Sequence, residues 1–333
     1  MRFRFDQDGG TTDSRPRAAF VFLEHRMDKP FKTYDELISL MNSRGLKTGD
    51  RAMFILEREG YYPVVNGYKS LFIDRAANGE TYKRGCEFEE LYDLFVMDRR
   101  LRAVLFRHIA LCEGMLKTVS TYRFCEAHPD DNEAYLDERS YRRDRSRLVA
   151  SFTHELKRIL GRIPEEPPRF TKEYLEHYKA NHDNIPLWVT MNSLSLTQAF
   201  KFYTNQTEAV RFAIAQDFQR MHRDAFGSRA RRITHRSLQD AYDHIKDFRN
   251  VCAHDERLYC ARVDKSKSTN LRRLLSDMRL VLNAEQCRSL ENGITRCLDF
   301  ASESIHTVSE REIVREMGFE SRKEISSVLN GYS

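Results

Sequence analysis

The chain has 333 residues, 41% hydrophobic and 32% charged, with 14 glycines and 8 prolines; this excludes collagen-like and low-complexity chains and suits a charge-covered, helix-rich protein with a sizeable core. Its net charge of +5 comes from 55 basic against 50 acidic residues, so most charge is matched locally and nucleic acid is permitted as a partner without being demanded. No window reaches the ~20 consecutive apolar residues of a membrane span, and the start MRFRFDQDGG lacks the apolar stretch of a secretory signal, so the sequence reads as cytoplasmic with no membrane partner.

Residues 1–29 mix Gly, Thr, Asp and Arg around AAFVFLEH without a sustained period and read as a flexible arm. Thr33, with Glu36 three residues on, forms a capping box for a first helix that carries Leu37, Leu40 and Met41 and stops at Gly45. Leu46 to Gly60 predicts a second short helix, and YYPVVNGYKSLF an ordered aromatic loop. Residues 87–127 hold the longest pattern, with Leu91, Leu94, Leu101, Leu105 and Ile109 at three- and four-residue steps, and predict one long helix or two abutting ones. A helix over Leu148 to Leu160 is broken by Pro164, Pro167 and Pro168. Helices follow over about 172–180, 187–203, 208–226, 238–254, 284–304 and 310–329. Strand-like alternation is scarce and no repeat is present, so the fold class is all-α, a helical bundle.

Two runs concentrate cations: RSYRRDRSR, with Arg142, Arg143 and Arg145, and RARRITHR, with Arg231 and Arg232. Each can follow a phosphate backbone, or else form a solvated face. The seven cysteines are odd in number and lack C-x2-C spacing, which reads as reduced thiols. His222, His235 and His244 fit no ligand pattern, so neither a metal nor another cofactor is expected.

The segment HIKDFRNVCAHDERLY carries the chemistry. Ala241, Ile245, Phe248 and Cys252 make an apolar stripe, which marks Cys252 as a core residue, while Asn250 and His254 share another face. Arg249, Asn250 and His254 give R-N-x3-H, with a further cation at Arg257. Metal-free RNA cleavage needs a group to take the 2′-OH proton, a group to protonate the 5′-oxygen, and positive charge on the pentavalent phosphorus. Histidine, with an ordinary pKa of ~6.5, suits the proton transfers and arginine suits the phosphoryl oxygens. Asn250 can orient His254 from one turn below. Spacing alone does not select this motif, because Arg102 with His108 and Arg229 with His235 also satisfy R-x4 to x6-H. Arg249 and His254 also lie about 140° apart around an ideal helix.

RNVCAHDERLY resembles the R-N-x-x-A-H-x-x-R-L segment of bacterial abortive-infection proteins of the AbiD/AbiF type, within the HEPN superfamily. KPFKTYDELISLMNSRGL, GYYPVVNGY, FEELYDLFVMDRRLRAVLFRHIALCEGMLKT and IPLWVTMNSLSLTQAFKFY match in the family's order, from about residue 29 to 265, with an echo in VREMGF. The resemblance implies a HEPN-like bundle over 30–305, with the motif helix at about 238–256 and a helical tail at 306–333. It further implies phage defence and a metal-independent ribonuclease whose site forms where two motifs meet; with one motif in the chain, that means a homodimer. Carried over by position, Arg249, Asn250 and His254 take the catalytic places. Glu113, Asp98 and Arg102 are supporting polar residues on the middle helix, with Arg257 beside the motif. Glu113 either orients Arg249 or His254, or pairs with Lys117 one turn on. The chain departs from the family at Asn192, Thr197 and Cys260, and Trp188 reads as a core anchor among Pro186, Leu187 and Val189.

The alternative reading is an RNA-binding module that holds a structured non-coding RNA with cleavage absent or repressed. A third is a helical partner-binding protein in which R-N-x3-H is incidental.

Overall fold

The computed structural model describes residues 31–331 apart from 78, 167–171, 265 and 267, so the expected 1–29 arm and the breakers Pro167 and Pro168 lie outside the described residues. In chain order the helices are α1 (Tyr34–Ser43), α2 (Ala52–Glu59), α3 (Phe88–Ala127), α4 (Ser146–Ile159), α5 (Glu173–Asn181), α6 (Leu187–Thr190), α7 (Leu196–Asn205), α8 (Glu208–Phe226), α9 (His235–Ala253), α10 (Leu271–Arg279), α11 (Ala284–Ser304), α12 (Glu310–Glu316) and α13 (Arg322–Asn330). The fold is all-α: among the described residues, extended pairing is confined to the isolated bridges Lys47–Glu87, Ile73–Tyr82 and Val263–Thr269.

The pattern over 87–127 forms one unbroken helix of 40 residues, about 60 Å long. Around α3 the other helices assemble: α11 runs along it, while α7, α8 and α9 pack on other faces. Gly293 lets α11 close onto α3, since a Cβ there would lie 2.6 Å from Val104 Cγ1. The tail is tied to the start of α3 by the Glu90 carboxylate, which accepts from the backbone N–H groups of His306 (2.9 Å) and Thr307 (2.7 Å). From there α12 and α13 turn back onto α11 and α10, burying Ile313, Val314, Ile325 and Leu329.

Several boundaries differ from the sequence expectation, each for a local reason. Residues 46–51 are not helical, because Lys47 bridges to Glu87 and α2 starts only at Ala52. The aromatic segment is not irregular: Tyr62–Asn66 winds as a π-helical turn and Lys69–Leu71 as a 3-10 turn. The expected helix over 187–203 is divided, since Ser195 and Gln198 form a capping box that starts α7 afresh. The 310–329 pattern is divided where Gly318 takes a left-handed φ of +96°. Trp188 is not a core anchor: on the short α6 half of its surface stays exposed (50%).

Candidate functional site

α9 is set in rotation and register by contacts along its length. Thr234 and Ser237 form its capping box. The Tyr242 hydroxyl donates to the Cys112 carbonyl of α3 (2.8 Å), and His244 Nδ1 meets Asp277 Oδ2 of α10 (2.7 Å). With Ala241, Ile245 and Phe248 buried, Arg249 and Asn250 are left half-buried and His254 exposed. None of these three side chains makes a hydrogen bond or ion pair among the described residues. The link between Asn250 and His254 is in the main chain, where the His254 N–H donates to the Asn250 carbonyl (3.0 Å) and His254 is the C-terminal cap of α9.

Directly after His254 the chain reverses. Asp255 adopts a left-handed φ of +55°, and the Glu256 N–H donates back to the Val251 carbonyl (3.1 Å), the six-to-one bond of a Schellman turn. Aspartate tolerates this conformation better than most residues.

Asp98 and Arg102, expected as supporting residues, brace this turn from α3. The buried Asp98 carboxylate accepts from the N–H groups of Leu258 (2.9 Å) and Tyr259 (2.7 Å), the Tyr68 hydroxyl (2.7 Å) and Arg102 Nη1 (2.9 Å). Arg102 also donates to the Glu256 carbonyl (3.1 Å) and pairs with Asp255. Tyr68 stacks on Tyr259 with ring centroids 5.8 Å apart, so the 62–68 turn is fastened to the same segment. Sequence reasoning did not single out Tyr68, Tyr259 or Asp255; the available signal was the Asp that follows the motif histidine, at a position where a helix must stop. Arg257 donates to the Gly67 carbonyl (2.8 Å) and serves this junction. A cleft of about 580 Å³, lined by Tyr62, Asn66, Asp255 and Arg257 among others, opens beside it.

Glu113 does not meet the motif. It pairs with Lys117 (2.6 Å), and the bond from Tyr242 to Cys112 puts it seven residues, about 10 Å, along α9 from Arg249. Cys252 is half-buried, and burial pushes its thiol up to about 12, so it is no nucleophile at neutral pH.

The basic runs lie at the other end of α9. Arg231 and Arg232 precede its N-terminus, and the 19 residues from His235 to His254 separate them from the motif by about 28 Å. Arg142, paired with Asp144, lies near enough to His235 to help lower its pKa; burial is the main cause, and Arg211 and Arg236 contribute. The two runs, distant in sequence, therefore meet at one corner. Arg143 and Arg145 have no hydrogen-bond or ion-pair partner among the described residues, whereas Arg231 donates to Ser276 Oγ (2.6 Å).

Among the described residues no three His, Cys, Asp or Glu side chains converge as a metal site requires, and no helix is long and apolar enough to cross a membrane. A family model described as Abi-like protein matches residues 54–260, more than half of the chain, and spans both the Asp98–Arg102 brace and the motif helix. No curated protein and no solved structure matches it.

Proposed function

The chain belongs to the Abi-like protein family, and from that premise we propose that it is an abortive-infection phage-defence protein that cleaves RNA without a metal, through Arg249, Asn250 and His254. One observation carries this reading. Among the described residues the three motif side chains stand at an open helix end without partners of their own, while Asp98, Arg102, Asp255 and Arg257 behind them are engaged in holding that end rigid. Polar groups left unspent on a braced support are what a reacting phosphate requires.

In the proposed reaction a neutral His254 accepts the ribose 2′-OH proton as O2′ bonds to phosphorus. Arg249 neutralises the added charge on the equatorial oxygens. The bond from phosphorus to O5′ breaks, and a protonated His254 from a second copy of the chain supplies the proton to O5′. The products are a 2′,3′-cyclic phosphate and a 5′-hydroxyl. Two copies facing each other supply both base and acid, because each chain carries one motif.

The test is cleavage of labelled single-stranded RNA in EDTA by wild type beside Arg249→Ala/His254→Ala, with end-group analysis. Cleavage by wild type alone with cyclic-phosphate ends is expected; equal cleavage by both removes the motif from the mechanism. A second reading, an RNA-holding module without turnover, is favoured by the cations gathered about 28 Å from the motif at the far end of α9. RNA bound by wild type but cut by neither protein selects it.

A further inference from the structure

A cavity of about 720 Å³ opens at the N-terminal end of α9, between α8 and the segment that leads into α9. Its walls are preformed. Gln219 on α8 straps the segment down, its Oε1 accepting from the Ile233 N–H (2.7 Å) and its Nε2 donating to the Arg231 carbonyl (3.1 Å). The floor is apolar, built of Ala215, Ala230 and Ile233. On its rim stands Phe212, with 55% of its surface exposed and no aromatic neighbour for its ring among the described residues. One turn along α8, the exposed Gln216 presents an amide with no hydrogen-bond partner among the described residues. Arg223 and Arg232 line the walls without ion pairs among the described residues, His235 is a further lining residue, and Glu208 contributes a carboxylate.

An exposed ring beside an apolar floor offers one face to a planar group. An amide next to it can read a polar edge, and two guanidinium groups further along the same wall can hold phosphates of the same strand. Those are the requirements of a nucleotide in a single strand: base on ring, backbone on cations. A paired base in a duplex is stacked on both faces and cannot enter without being extruded.

We infer that this cavity captures an unpaired base of single-stranded RNA, stacked on Phe212, with phosphates of neighbouring nucleotides in the same strand on Arg232 and Arg223 further along the wall. The inference rests on the RNA reading above and adds a second contact on the same helix as the motif. From His235 to His254 is about 28 Å, which at ~3.4 Å per nucleotide of a stacked strand takes about eight nucleotides. Longer strands engage both ends of α9, whereas a tetranucleotide reaches one.

The test measures anisotropy of a labelled 12-nucleotide 2′-O-methyl RNA, which lacks the attacking hydroxyl, and of its duplex form, with the full chain. Phe212→Ala is expected to weaken single-strand binding roughly 5- to 160-fold, the range of one lost base-aromatic stack, with duplex binding unchanged and Phe212→Tyr restoring affinity. Single-strand binding that survives Phe212→Ala, or a loss shared equally by single strand and duplex, overturns the cavity assignment and leaves the RNA reading intact. Wild type that binds no RNA overturns both.

Discussion

Arg102 on α3 reaches across to Asp255, the residue directly after the motif histidine, and holds it in a left-handed turn. Because Arg102 is also bonded to the buried Asp98, which in turn accepts the Leu258 and Tyr259 N–H groups, the position of His254 depends on a pair of residues on another helix. The i,i+4 pair on α3 thus acts as a clamp on the end of α9.

Arg102→Ala leaves Asp98 buried without its cation, a change that costs ~3–5 kcal/mol. A urea midpoint well below wild type with an unchanged slope is expected. Arg102→Lys should recover only part, because a single ammonium cannot serve Asp98, the Glu256 carbonyl and Asp255 together. A midpoint equal to wild type in Arg102→Ala would show that the clamp is idle.

At Asp255 backbone and side chain can be separated. Glycine accepts φ of +55° freely but loses the contact to Arg102; alanine loses the contact and pays for the left-handed backbone as well. Asp255→Ala is therefore expected to be less stable than Asp255→Gly by ~1–2 kcal/mol. Equal denaturation curves for the two variants would mean that the turn relaxes.

The two arginines near His254 should differ in kind. Arg249 has no partner among the described residues, so Arg249→Ala is expected to lower kcat/KM for RNA cleavage by ~10²–10³, as removal of a transition-state donor does. Arg257 is spent on the Gly67 carbonyl, and Arg257→Ala should cost less than about tenfold. Comparable losses in single-turnover rates would transfer the phosphate-holding role to Arg257.

Much of this was legible in the sequence, and what was not has identifiable causes. The expected ranges 208–226 and 284–304 match α8 and α11, because Thr207 and Asn283 cap strongly and the apolar spacing is regular between the ends. α10 is not among the expected helices although Leu271, Leu274, Leu275 and Met278 follow helical spacing, since nine residues give barely two periods. The shared face of Asn250 and His254 follows from their i,i+4 spacing, whereas Arg249 lies about 140° from His254 around the helix. The clamp does not follow from spacing, because Asp98 and Leu258 are 160 positions apart and only packing makes them neighbours. The separation of the 229–236 run from the motif is legible, since the run precedes and the motif ends the same helix, whose length sets the distance; the place of Arg142, Arg143 and Arg145 is not, since only packing brings them to that end.

His244 ties α9 to α10 through Asp277, and that hydrogen bond raises its pKa above the ordinary value. The contribution to stability is complete below the unfolded value of ~6.5 and is lost as pH rises through the raised folded value. Wild type should thus exceed His244→Gln in urea midpoint most clearly in mild acid, with the gap closing above neutrality. A gap that widens with pH would reverse the assigned sign.

His222 on α8 works in the opposite direction. It is buried against the Phe226 ring, and burial, with Arg279 and Arg231 nearby, lowers its pKa to about 4. When the chain unfolds the imidazole returns to ~6.5, so between these values the unfolded state binds a proton that the folded state refuses. Stability from this site is complete above ~6.5 and falls as pH drops toward 4. His222→Leu removes the titrating group while keeping an apolar side chain against Phe226, and should flatten the acid limb of the urea midpoint profile. The same acid limb in wild type and His222→Leu would assign the loss to another group. Because the His222 contribution changes below ~6.5 and the His244 contribution above it, His222→Leu/His244→Gln should be less pH-dependent over the whole range than either single variant.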